Sequence, residues 1–128
     1  MSLQALRAEL DRRCGPEWES NGPMPLLTLE EFFDSHDSLR VHDQTRRGLL
    51  ALRERPEVHD VRLGLTRWEA DPEPEYFYVI TTLTVAAVRN ELRACLIDAT
   101  EMGVRNEHRA TESIALPKGY RKVWAWID

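Results

Sequence analysis

Cysteine is scarce: Cys14 and Cys95 lie far apart, with no further Cys or His at metal-finger spacing, so neither a disulfide framework nor a zinc module is expected. Six glycines and seven prolines in 128 residues exclude collagenous and low-complexity chains. No uninterrupted apolar run approaches the length of a membrane span, and the first residues lack the charged, apolar and small-residue succession of a secretory signal. The expectation is a cytoplasmic protein with reduced thiols and no membrane contact. A glycine-rich phosphate loop is missing, and no cofactor is expected. Excess positive charge is missing too. Lys and Arg total 17 against 22 acidic residues, a net charge of -5, and dividing the chain after Trp68 leaves 10 basic against 12 acidic residues before the cut and 7 against 10 after it. With neither part basic, the electrostatic footprint of nucleic-acid binding is absent, and no nucleic-acid partner is expected.

What is present is an ordinary globular composition, 42% hydrophobic and 30% charged. The length fits one domain, with residues 1–25 read as an N-terminal helix and loop and 26–128 as the core. Such a chain buries enough surface to fold without a metal or disulfide. Fifteen of the 17 cations are arginine, which fits either bidentate anion recognition or the base composition of the genome.

Leu3, Leu6 and Leu10 mark a short amphipathic helix that Gly15-Pro16 stops. The Pro- and Gly-punctuated run 14–25 reads as a loop. Thr28-Leu29-Glu30-Glu31 matches a capping box, opening a short helix with Phe32 and Phe33 that the polar cluster 34–38 ends. A longer helix is expected over residues 43–55, closed by Pro56, with Leu49, Leu50 and Leu52 buried. In 58–68, Val61, Leu63 and Leu65 alternate with Arg62, Gly64 and Thr66, the period of a strand. The acidic stretch 69–75 is a turn, and the aromatic and β-branched run 76–83 a second strand. Thr84 can cap a helix whose Val85, Val88, Leu92, Cys95 and Leu96 share one face. Residues 98–103 are ambiguous, 104–119 are mostly loop, and 120–127 form a third strand with Val123, Ala125 and Ile127 on one side and Tyr120, Trp124 and Trp126 on the other. The class is α+β: a small, mainly antiparallel sheet with helices packed on one face. A right-handed final crossover predicts the strand order 2-1-3.

The segment Leu27-Thr28-Leu29-Glu30-Glu31-Phe32-Phe33-Asp34, the stretch Arg55-Pro56-Glu57-Val58 with Asp60-Val61, and the terminal Val123-Trp124-Ala125-Trp126-Ile127-Asp128 together resemble a family of small uncharacterised bacterial proteins. The likeness covers about residues 26–128 and leaves the first helix outside. It implies a shared compact α+β domain and no catalytic residues. Where members of that family show a Trp-Pro-Phe-like stretch before the second strand, this chain carries the acidic turn 69–75.

Three groups of residues are candidates for chemistry or recognition. Asp34, His36, Asp37, His42 and Asp43 combine imidazoles with carboxylates and are the candidate metal or small-molecule pocket, although their spacing matches no metal motif and such residues ordinarily make turns and caps. In the acidic turn, Glu69, Asp71, Glu73 and Glu75 can hold calcium or dock a basic partner, or simply be solvated. His59 and His108 are acid–base candidates because imidazole is the side chain suited to that work near neutral pH, but no nucleophile or carboxylate pattern marks either as part of a nucleophilic constellation. The aromatic set Trp68, Tyr76, Tyr78, Tyr120, Trp124 and Trp126 is either an interface on the second face of the sheet or a second small core beneath residues 3–25. The expected function is a non-enzymatic protein-interaction module that self-associates as a homodimer through the aromatic sheet face and can also engage a protein partner. The alternative is a small enzyme or ligand-binding protein using His36 and His42.

Overall fold

The structure, a computed structural model, describes residues 2–35, 42–69 and 73–128. Along the chain run α1 (Leu3–Cys14), β1 (Leu26–Thr28), α2 (Leu29–Ser35), α3 (Asp43–Arg53), β2 (Val58–Gly64), β3 (Tyr76–Thr81), α4 (Val85–Ala94), β4 (Glu101–Gly103) and β5 (Arg121–Trp126). Polar caps start the helices. The Ser2 hydroxyl accepts from the Ala5 amide at 3.1 Å and the Thr84 hydroxyl from the Ala87 amide at 3.1 Å. At α2 the capping box is reciprocal: the Glu31 amide donates to the Thr28 hydroxyl at 3.0 Å and the Thr28 amide to the Glu31 carboxylate at 2.9 Å.

The strands form one sheet of order β1-β2-β3-β5-β4 in which every neighbouring pair is antiparallel. The α+β class with a small antiparallel sheet therefore holds, but the order 2-1-3 of the three long strands does not. The second of them, β3, lies between β2 and β5. The reason is the short strand β4 in the ambiguous stretch. β3 and β4 are both antiparallel to β5, hence parallel to each other, so the crossover through α4 ends in β4. The last strand then returns between them.

Side chains alternate across the sheet as the period of two demands. Val61, Leu63, Phe77, Val79, Val123 and Ala125 join Leu6, Leu10, Leu49, Leu52, Val88 and Leu92 in the helix-side core. Trp18, within the stretch read as a plain loop, is fully buried there and donates its indole N–H to Asp11 at 3.0 Å. Leu96 departs from the apolar face expected of it. It follows the end of α4 with a left-handed φ of 65° and is 55% exposed.

On the opposite face a second cluster gathers Met24, Leu26, Tyr76, Tyr78 and Trp124. Its cover is not the first helix but residues 104–119, which leave β4 at one edge, cross the aromatic face and bridge Met24 beside β1 at the other edge through Thr111. They then return to β5.

Candidate binding site

Six aromatic residues expected on one face are divided among four environments. Tyr76, Tyr78 and Trp124 are at most 4% exposed, stacked under the strap of residues 104–119. Tyr120 lies at the opposite end of β5, edge-on to His59 with 5.9 Å between ring centroids. Trp68 is not on the aromatic face at all, because β2 ends at Gly64; it packs beside the helix-side core, with the Arg7 guanidinium 5.7 Å from its ring. Trp126 is half-buried at the end of the sheet where β2 runs into β3. Tyr76, Tyr78 and Trp124 are thus covered within the chain, while Trp68 and Trp126 at the sheet end border open clefts.

Each of those tryptophans lines a cleft, and Glu69 lines both. One cleft, about 330 Å³, is formed by Trp126, Pro74 and Ile127 as apolar walls and by Glu69, Glu73, Glu75, Asp128 and Arg67 as its rim. The other, about 300 Å³, lies between Leu3, Gln4 and Arg7 of α1, Trp68 and Glu69. Among the described residues the first rim holds one guanidinium, Arg67, and it pairs with Glu69 at 2.7 Å. The surface is therefore an aromatic wall under a field of negative sign. Its rigidity comes from backbone pairing: the Glu75 amide donates to the Gly64 carbonyl at 3.3 Å and the Ile127 amide to the Glu75 carbonyl at 2.9 Å. Trp68 is held by Glu19, which accepts from the Trp68 amide at 2.9 Å and pairs with Arg7 at 2.7 Å. The Trp68 amide, with the Arg7 guanidinium, draws the Glu19 carboxyl below its ordinary range.

A second constellation escapes sequence reasoning. The Tyr76 hydroxyl lies 2.8 Å from Nδ1 of His108, whose Nε2 lies 3.0 Å from Glu101. An ionised Glu101 accepts only, so a neutral imidazole donates its Nε2–H to Glu101 and accepts a hydrogen bond from the Tyr76 hydroxyl at Nδ1. This has the order of a catalytic relay without its chemistry. Burial, with Glu75 and Glu101 nearby, raises the Tyr76 pKa, the opposite of an activated phenolate. His108 also sits 5.3 Å from the ring centroids of Trp124 and Trp126. The triple fastens the strap to the sheet. His108 stood in the sequence as an isolated imidazole, and nothing in the spacing of Glu101 or Tyr76 announced its partners.

The proposed pocket around residues 34–43 is described only in part, since His36 and Asp37 lie outside the described residues. His42 caps α3, its Nδ1 accepting from the Gln44 amide at 3.2 Å, and Asp43 pairs with Arg47 at 2.9 Å. Asp34 is exposed, beside a shallow cleft it shares with Glu30, Glu31 and Ser35. Among the described residues no three His, Cys, Asp or Glu side chains are grouped to hold a metal ion. Asp71 of the acidic turn also lies outside the described residues.

Helices on one side of an open antiparallel sheet and a polar strap on the other define a small α+β protein, with no helix among the described residues long and apolar enough to cross a membrane. Within that class the chain belongs to the Uncharacterized protein YfbO family, whose model matches residues 2–125. The match takes in the first helix, which the resemblance over 26–128 left outside. That helix places Leu6 and Leu10 in the same core as the sheet. No curated protein and no solved structure matches the chain.

Proposed function

We propose that the protein is a non-enzymatic interaction module, set in the cytoplasm, that docks a basic segment of a protein partner at the end of its sheet. One observation carries the reading: the cleft beside Trp126 joins an aromatic wall to four carboxylates, with the Arg67 guanidinium already paired. A lysine or arginine side chain placed there gains cation–π attraction from Trp126 and Coulomb attraction from Glu75 and Asp128. The overall charge of -5 has the sign that speeds encounter with such a partner. The aromatic interface of this reading is Trp68 and Trp126, since Tyr76, Tyr78 and Trp124 are covered by the chain itself and Tyr120 stands at the other end of β5. Self-association is the form in which the partner is a second copy.

The test is titration of the 15N-labelled protein with an arginine-rich decapeptide and with a control in which glutamate replaces each arginine. The expected result is a saturable shift of the Trp126 indole and of the amides of residues 73–75 and 127–128 with the basic peptide alone. The double substitution Glu73→Lys, Glu75→Lys should lower that affinity roughly tenfold or more while the melting temperature changes little. Shifts that are spread over the surface, or equal for both peptides, would remove the reading. Light scattering of the free protein identifies self-association, which Trp126→Ala should then abolish.

A further inference from the structure

The strap of residues 104–119 covers a core to which it contributes little apolar surface. None of its residues is fully buried, and Val104 and Leu116 point to solvent, 39% and 50% exposed. Ile114 is its hydrophobic contact with the cluster of Met24, Leu26, Tyr76, Tyr78 and Trp124. Polar bonds do the rest of the fastening. Arg109 donates to the carbonyls of Thr66, Trp18 and Gly22, and Glu112 accepts from the Leu26 amide at 2.7 Å and from Arg13 at 2.9 Å. Glu107 pairs with Lys122 at 3.1 Å, and the Trp124 indole donates to the Arg105 carbonyl at 3.0 Å. The Met24 amide donates to Ala110 at 2.8 Å and the Glu112 amide to Met24 at 3.0 Å.

Such bonds exchange with water at small net cost, whereas cooperative stability follows buried apolar area. The helix-side core shares no residue with the cluster under the strap, so no side chain of that core is among those the strap covers. Both ends of the segment also contain backbone that can serve as a hinge. Asn106 has a φ of 59° and Gly119 a φ of 86°, the latter with open space around it. We propose that residues 104–119 form a lid that swings off the aromatic face as one unit, uncovering Tyr76, Tyr78 and Trp124 while the sheet and its helices stay folded. Opening also frees the Trp126 ring from its contact with His108 of the strap.

Native-state hydrogen exchange at low denaturant tests it directly on the unaltered protein. The Met24 and Glu112 amides and the Trp124 indole N–H are bonded across the strap boundary and report its opening. They should exchange together, roughly a hundredfold or more faster than the Val79 and Val123 amides of the central strands, with a shallower denaturant dependence. Arg109→Ala should widen the gap between the two sets roughly tenfold. If the three probes instead follow the slow rate and steep denaturant dependence of Val79, the strap leaves only on global unfolding and there is no lid. An Arg109→Ala variant that speeds both sets equally would say the same.

Discussion

Cys14 and Cys95 illustrate how burial decides what a residue can do. Both are free and buried, and removal from water pushes each thiol up to about 11, with Glu112 adding to the effect at Cys14 and Glu91 at Cys95. At pH 8 only about one molecule in a thousand then carries a given thiolate. Ellman's reagent should accordingly find neither thiol in the native protein and both once it is unfolded. A native thiol that reacts within minutes would show a more open site than the structure has. Glu19 is the opposite case, a carboxylate stabilised in its charged form by the Trp68 amide and Arg7. Because its folded pKa lies below the ordinary 4.5, the contact contributes fully above that value and is lost as pH falls through the lower folded one. The Trp68 amide resonance should titrate with a midpoint below 4.5, and Glu19→Gln should abolish that titration. A midpoint at or above 4.5 would mean that the bond to Trp68 does not persist in solution.

At the scale of elements, the contact between α3 and α4 sets two effects against each other. Gly48 lies within α3, where replacing glycine by alanine ordinarily stabilises a helix by about 1 kcal/mol. Here a Cβ on Gly48 would stand 2.7 Å from Sγ of Cys95 and 3.2 Å from its Cα, while the Thr45 hydroxyl, donating to the Cys95 carbonyl at 2.6 Å, holds the two segments together. Overpacking of this kind costs about 1–3 kcal/mol, so the clash wins. Gly48→Ala should lower the melting temperature, and adding Cys95→Ala should recover part of the loss. A rise for the single variant would show the helices free to move apart. The elements themselves were legible where their signals are local. Thr28 and Glu31 make the capping box their spacing announced, and Val61, Leu63 and Leu65 face the core their alternation pointed to. Residues 14–25 were not legible. Trp18 is held in the core by its place above α1, a relation that no periodicity within a turn-rich stretch expresses.

Across the whole molecule, the two faces of the sheet are built on different terms. Helices close one with apolar side chains, and a polar strap closes the other by ion pairs and backbone bonds. The neighbouring tryptophans of β5 consequently have different roles. Trp124→Ala empties a nearly buried site on the far side and should cost about 3–5 kcal/mol of stability, read as a lower denaturation midpoint. Trp126→Ala removes a wall of the acidic cleft and should weaken peptide binding more than it lowers stability. The binding it leaves should fall further with added salt, as attraction between exposed charges does. Equal losses of stability for both variants would place Trp126 in the core rather than at a docking surface.

The sequence by itself determined the local features: where the capped helices start, which strand residues face each way, the antiparallel α+β class, and the net negative charge. These depend on neighbours within a few positions, through hydrogen bonds at helix ends and the alternation of a pleated chain. Tertiary structure decided the rest. β4 is three residues long, too short to show a period, yet it reverses the expected strand order. Glu112 finds Arg13 across 99 positions, and this contact, with Arg109 and His108, decides that Tyr76, Tyr78 and Trp124 are covered while Trp68 and Trp126 are left at the open end. Such pairings are set by how the sheet folds back on itself, and spacing along the chain carries no record of them.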